Sequence, residues 1–142
     1  LHWWRSGVLV ADPSASRPRP DHHAHEREEP GAAGIDTPFI GFPRGAGALV
    51  ETYATQVPVQ AVALDTQASA AMGKRIQASG KTIQGALDNL LLRAGGPALD
   101  ARIDALIEQW NQGPYIFNLG HGVMPDTPIE HIDRAVRRVT GK

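Results

Sequence analysis

One histidine near the end of this chain stands between two glycines, in Leu119-Gly120-His121-Gly122. An imidazole can donate, accept or carry a proton near neutral pH, and it can meet a carboxylate. The flanking glycines let the backbone turn sharply and approach a ligand closely. Ahead of them, Tyr115-Ile116-Phe117-Asn118-Leu119 has the β-branched and aromatic texture of a buried strand. Behind them, Thr127, Pro128 and Glu130 read as a helix start, with Thr as N-cap, Pro at the first helical position and Glu reaching back. A strand that ends in such a loop and feeds a helix is where α/β proteins place functional groups. The same residues also suit a plain loop histidine on a tight turn, because one His is a weak signal.

Three earlier segments repeat the pattern of apolar strand, polar end and helix. Pro38-Phe39-Ile40-Gly41-Phe42 reads as a short strand followed by Pro43-Arg44-Gly45, with helical spacing through Leu49, Val50, Tyr53 and Ala54. Ala61-Val62-Ala63-Leu64-Asp65 is a second strand, after which Thr66 is placed to cap a helix over residues 67–74. Lys81-Thr82-Ile83-Gln84-Gly85 is a third, followed by Ala86-Leu87-Asp88 and a short helix through Leu90, Leu91 and Leu92 that ends at Gly95-Gly96. Leu99, Ile103, Leu106, Ile107 and Trp110 mark one face of a further helix of about three turns. The last helix carries Ile129, Ile132, Ala135, Val136 and Val139 on one face. Arg134, Arg137 and Arg138 lie on the other, as solvated residues near a helix C-terminus.

From Thr37 the order is therefore β-α-β-α-β-α-β-α. Short, wholly apolar strands alternating with helices predict an α/β fold with a parallel sheet, half of an eight-stranded barrel. Arg44, Asp65, Gln84 with Asp88, and Asn118 with His121 all fall just past strand C-terminal ends, the face where barrel enzymes keep their chemistry. Each also has a structural reading: Arg44 capping a helix or pairing with Asp65, Asp65 as an N-cap, Gln84 satisfying backbone, Asn118 bracing a loop. Their concentration at one end is the stronger signal.

The composition fits a single globular domain of 142 residues, 42% hydrophobic and 20% charged. A net charge of -1 argues against a nucleic-acid binder, without excluding an anionic small molecule in a cleft. The absence of cysteine removes thiolate catalysis and Cys-ligated zinc, and suits a cytoplasmic protein. No apolar run approaches the roughly 20 residues of a membrane span, and the N-terminus lacks a signal-peptide pattern.

Residues 1–36 differ in texture from the rest of the chain. Pro and charge cluster without period in Asp12 to Pro20 and Asp21 to Pro30, as in an irregular or non-native extension. Trp3 and Trp4 offer a short anchor. His22, His23 and His25 read as a solvated polar run rather than a dedicated metal site, which needs more ligands in fixed geometry.

With Phe42-Pro43-Arg44-Gly45-Ala46-Gly47, Leu64-Asp65, Gln84-Gly85-Ala86-Leu87-Asp88, Phe117-Asn118-Leu119-Gly120-His121-Gly122 and Pro125-Asp126-Thr127-Pro128 in order, Thr37 to Lys142 resembles the C-terminal half of the uroporphyrinogen decarboxylase family. The resemblance implies a (β/α)8 TIM barrel, generally a homodimer. It implies cofactor-free removal of acetate carboxylates from the tetrapyrrole uroporphyrinogen to give coproporphyrinogen, in haem synthesis. It also implies that His121 is a functional histidine contacting substrate carboxylate. Arg44 is then a cleft residue, and Asp65, Gln84 and Asn118 are further substrate-side positions.

Three departures stand out. The family's Gln-Gly-Asn-Leu-Asp-Pro is here Gln84-Gly85-Ala86-Leu87-Asp88-Asn89, which loses an amide side chain and frees the turn that Pro would fix. The family's usual Gly before Leu64-Asp65 is Ala63. The family's N-terminal half, with its arginines and central aspartate, has no counterpart in residues 1–36, which suggests an out-of-frame or foreign leader. Half a barrel leaves open strand edges, so the chain alone is expected to be inactive unless it dimerises or meets the missing half. Two alternatives are a non-catalytic half-barrel module or remnant, and a corrinoid methyltransferase of the same superfamily. The lack of Cys disfavours the second.

Overall fold

The computed structural model describes residues 38–141. The boundary drawn at Thr37, the Trp3–Trp4 pair and the three histidines of the leader lie outside the described residues.

Four strands form one parallel sheet in the order β1 (Ile40–Gly41), β2 (Ala61–Ala63), β3 (Thr82–Leu87) and β4 (Tyr115–Leu119). Between and after them come the helices α1 (Leu49–Gln56), α2 (Ala70–Ala78), α3 (Asn89–Ala94), α4 (Gly96–Trp110) and α5 (Ile129–Thr140). Sequential strands are spatial neighbours throughout, as in consecutive units of a (β/α)8 barrel. Register sets Ile40 beside Ala61 and Ala61 beside Thr82, then Ala63 beside Gln84 and Gln84 beside Ile116. With side chains alternating along each strand, these rows share one face. The intervening residues Val62, Leu64, Ile83 and Tyr115 are buried on the other face, in a core with Ile76, Leu99, Ile103, Leu106 and Trp110.

The α4 periodicity is observed as predicted, with Leu99, Ile103, Leu106 and Trp110 buried. Trp110 meets Tyr115 edge-on at 5.4 Å between ring centres. Burial pushes the Tyr115 hydroxyl up from its ordinary pKa. That hydroxyl donates to Gly85 O at 2.5 Å. Tyr115→Phe leaves this buried carbonyl short of a partner, so urea denaturation is expected to show a loss of about 1–3 kcal/mol. Gly85 itself cannot be replaced without strain: its φ is +111° and a Cβ would stand 2.5 Å from Leu64 O.

Several local expectations are corrected. Helix α2 starts at Ala70, not residue 67, and its cap is Ser69, whose Oγ accepts from Met72 N at 3.2 Å, rather than Thr66. Residues 65–68 are held in a turn by Asp65, through Gln67 N to Oδ1 and Ala68 N to O. Strand β1 is shorter than predicted, and β3 runs on through Ala86 and Leu87. Helix α5 starts after Pro128 with no side-chain cap. The Thr127 hydroxyl is buried without a hydrogen-bond partner, so the capping box is not formed.

Two of the α5 arginines are not simply solvated. Arg134 Nε donates to Asp100 Oδ1 at 2.7 Å and Arg138 Nε to Asp104 Oδ1 at 2.7 Å, each fork closing with its Nη2. Arg137 pairs with Asp133 one turn away on its own helix. The hydrogen bonds from Arg134 and Arg138 hold the Asp100 and Asp104 carboxyls below the ordinary range. Depressed carboxyl pKa values stabilise the fold above the unfolded value of about 3.9, and that contribution is lost as pH falls through the folded values. The urea midpoint is therefore expected to drop more between pH 5 and pH 3 in the parent than in Asp100→Asn/Asp104→Asn. Equal drops would show that these pairs contribute nothing, as exposed pairs can.

The apolar stripe of α5 is only partly covered. Ala135 is buried, but Ile129 is 77% and Val136 43% exposed. Leu87, Phe117, Leu119, Ile132, Val136 and Val139 line an open apolar groove of about 280 Å³ between β4 and α5. Among the described residues the far edges of β1 and β4 have no partner strand.

Candidate functional site

The concave face of the sheet carries a groove of about 390 Å³ at the C-terminal ends of the strands. Ile40, Phe42 and Ala63 form its apolar side, and Gln84, Asn118 and His121 its polar side. Gln84 comes from the middle of β3, with its side chain on the row shared with Ala63 and Ile116. Asn118 is the penultimate residue of β4, and its Oδ1 accepts the Leu119 amide at 2.8 Å. An N–H requires an oxygen opposite it, so this contact fixes the amide orientation and leaves the Nδ2 donors for a ligand.

His121 is exposed at the rim. Its loop is fixed from three sides. Gly120 N donates to Leu87 O at 2.8 Å, and Asn89 Nδ2 donates to Gly122 O at 2.7 Å. Gly120 also lies flat against the β2–α2 turn, where a Cβ would stand 2.6 Å from Thr66 N. The backbone on either side of the histidine is thus held while the ring faces open space, an arrangement that orients a side chain at low entropic cost on binding.

The other two expected positions lie differently. Asp65 faces the next hollow along, lined by Pro43, Gly45, Leu64 and Met72. Its Oδ2 accepts from Gly45 N at 3.2 Å and its Oδ1 from Gln67 N at 3.0 Å. It braces two loops, and its partner from the first is the Gly45 amide rather than the Arg44 guanidinium. Arg44 is exposed on the turn after β1 and does not line the groove. Gln84, Asn118 and His121 are therefore brought together, while Arg44 and Asp65 sit on the adjoining rim. Two residues to which sequence reasoning gave no site role support the site. Asn89 clamps the His121 loop. His131 sets its Nδ1 3.0 Å from Arg93 O and 3.2 Å from Leu92 O, at the end of α3.

Residues 22–141 match the uroporphyrinogen decarboxylase family. The chain belongs to that family. It is 69% identical over 120 residues to uroporphyrinogen decarboxylase of Phenylobacterium zucineum, covering 84% of this chain and 35% of that relative. It is 58% identical over 139 residues to the uroporphyrinogen decarboxylase of Caulobacter vibrioides, covering 98% and 39%. With that of Maricaulis maris it shares 49% over 108 residues, covering 76% and 31%. The chain thus spans about a third of the length of the curated relatives it matches. The family match takes in residues 22–36, on the N-terminal side of the boundary that composition suggested.

Chemically, the groove of this family member offers amide donors and an imidazole beside an apolar wall. Among the described residues no cluster of His, Cys, Asp or Glu is placed to hold a metal ion, and no helix is long and apolar enough to cross a membrane.

Proposed function

We propose that this chain supplies the C-terminal part of a uroporphyrinogen decarboxylase, four of the eight units of its barrel. Together with the remainder of that barrel it would convert uroporphyrinogen III to coproporphyrinogen III in the cytoplasm. The observation that carries the reading is the convergence of Gln84, Asn118 and His121 on one concave face. Family membership gives that face a substrate class.

The chemistry needs no cofactor. A proton adds to a pyrrole ring carbon, and the ring becomes cationic. The bond to the acetate carboxylate then breaks, its electron pair neutralises the ring, and carbon dioxide leaves. The new exocyclic methylene takes up a proton and the ring carbon gives one back, so each acetate becomes a methyl with one proton consumed overall. The protein must hold a polyanion in one orientation and balance charge as it moves. His121 and the Asn118 amide are the groups here that can meet a carboxylate, and Gln84 adds a donor deeper in the groove.

The open β4 edge and the apolar groove beside α5 support the need for further chain, supplied by the same longer polypeptide or by another. The test is to assay the purified chain alone, then with the whole remaining part of the Phenylobacterium relative that this chain does not cover. No turnover alone and coproporphyrinogen formation on mixing are expected, with sizing to show whether the assembly is a homodimer. Robust turnover by the chain alone would overturn the half-barrel reading. A stable complex without turnover would instead favour a non-catalytic module.

A further inference from the structure

Helix α3 is six residues long, yet it holds the loop that carries His121. Its N-terminus is already capped by Asp88, whose Oδ1 accepts from Leu90 N at 2.8 Å. The next side chain, Asn89, is therefore not needed for capping. It is 7% exposed and reaches across to Gly122 O at 2.7 Å, 33 residues away in sequence. One turn further along the same helix face, Arg93 meets Asp126 at 2.5 Å. That ion pair is exposed on both sides and contributes little, whereas the Asn89 contact is partly buried and satisfies a carbonyl beside the histidine.

We propose that Asn89 is the positioning residue for His121: by fixing the Gly122 carbonyl, its amide sets the direction in which the imidazole enters the groove. The contact requires a donor. An alanine leaves the carbonyl unheld, and an aspartate keeps the shape but sets oxygen against oxygen. The proposal concerns the loop itself and rests on the decarboxylase reading only where activity is the readout.

Two measurements test it. In the full chain, amide hydrogen exchange at Gly120 and Thr127, whose N–H groups bond Leu87 O and Met124 O on either side of the loop, is expected to speed up about tenfold in Asn89→Ala and at least as much in Asn89→Asp. Exchange across Leu99 to Leu106 should not change. Unchanged loop exchange in either variant that folds, or equal acceleration across α4, overturns the proposal, the latter because Asn89 would then be merely structural. In the assembly reconstituted with the rest of the barrel, Asn89→Ala is expected to lower kcat/KM about tenfold when His121 is present and less than about twofold in a His121→Ala background. Additive losses overturn it. If the parent assembly shows no turnover, the decarboxylase reading fails and the exchange result decides this proposal by itself.

Discussion

In an active reconstituted assembly, His121→Ala lowers kcat/KM by an expected factor of about 10–10², with little change in stability. The size follows from what the ring would do. Removing a donor to a charged group costs about 1.5–3 kcal/mol, and a substrate carboxylate that keeps its charge through the reaction is such an acceptor. Stability is expected to hold because the side chain is exposed and its loop is fixed by backbone and by Asn89 rather than by the imidazole. Surface substitutions of that kind stay within about 0.5 kcal/mol. His121→Asn, which keeps a donor near the same place, should recover part of the loss. A plain loop histidine predicts less than about threefold loss for either variant, and steady-state kinetics beside urea denaturation separates the two cases.

The elements of this domain were legible because their apolar periods are local. The α4 face from Leu99 to Trp110 and the apolar strands around Val62, Ile83 and Tyr115 are set by residues within a few positions of one another. The polar residues that fix the site were not, because their partners are remote. Asn89 reads as a departure from a family motif until Gly122 is seen beside it. His131 reads as one more helix-surface residue until the end of α3 arrives under it. Arg134 and Arg138 find Asp100 and Asp104 only when α4 and α5 lie side by side. The departure at Asn89 was itself a usable signal, since an amide in place of an expected Pro restores a donor.

Cap assignments failed for a related reason. Thr66 and Ser69 are both competent caps, and the choice between them was made by Asp65, which folds residues 65–68 into a turn. Thr127 satisfies every sequence criterion for a cap, yet its hydroxyl is buried without a partner. Among the site residues, Arg44 and Asp65 were singled out by strand-end position and by the family motifs that contain them. Being next to a strand end places Arg44 and Asp65 at the correct end of the barrel. It does not say that Asp65 faces the neighbouring hollow or that Arg44 lines neither.

Gly120→Ala is expected to disable the site through a single methyl group. The added Cβ would lie 2.6 Å from Thr66 N and 2.8 Å from Asp65 C, and both are backbone atoms that cannot rotate aside. Nor can that turn yield freely, since the Asp65 carboxylate ties it to Gly45 as well as to Gln67. The loop must move instead, stretching the Gly120 N to Leu87 O bond of 2.8 Å. Replacing Gly by Ala at an unstrained position ordinarily stabilises by about 0.4–1 kcal/mol through the unfolded state. Overpacking costs about 1–3 kcal/mol, so the net sign is destabilising. A shift of roughly 1 Å at His121 adds a loss of about 10²-fold in turnover by the assembly. Gly122→Ala, two residues on, is the matched control. No atom lies within 4 Å of its Cβ, so stability should be unchanged or slightly raised. A Gly120→Ala chain that unfolds at the parent urea midpoint and retains full turnover would mean that the loop does not rest on the β2–α2 turn, and that the histidine is held some other way.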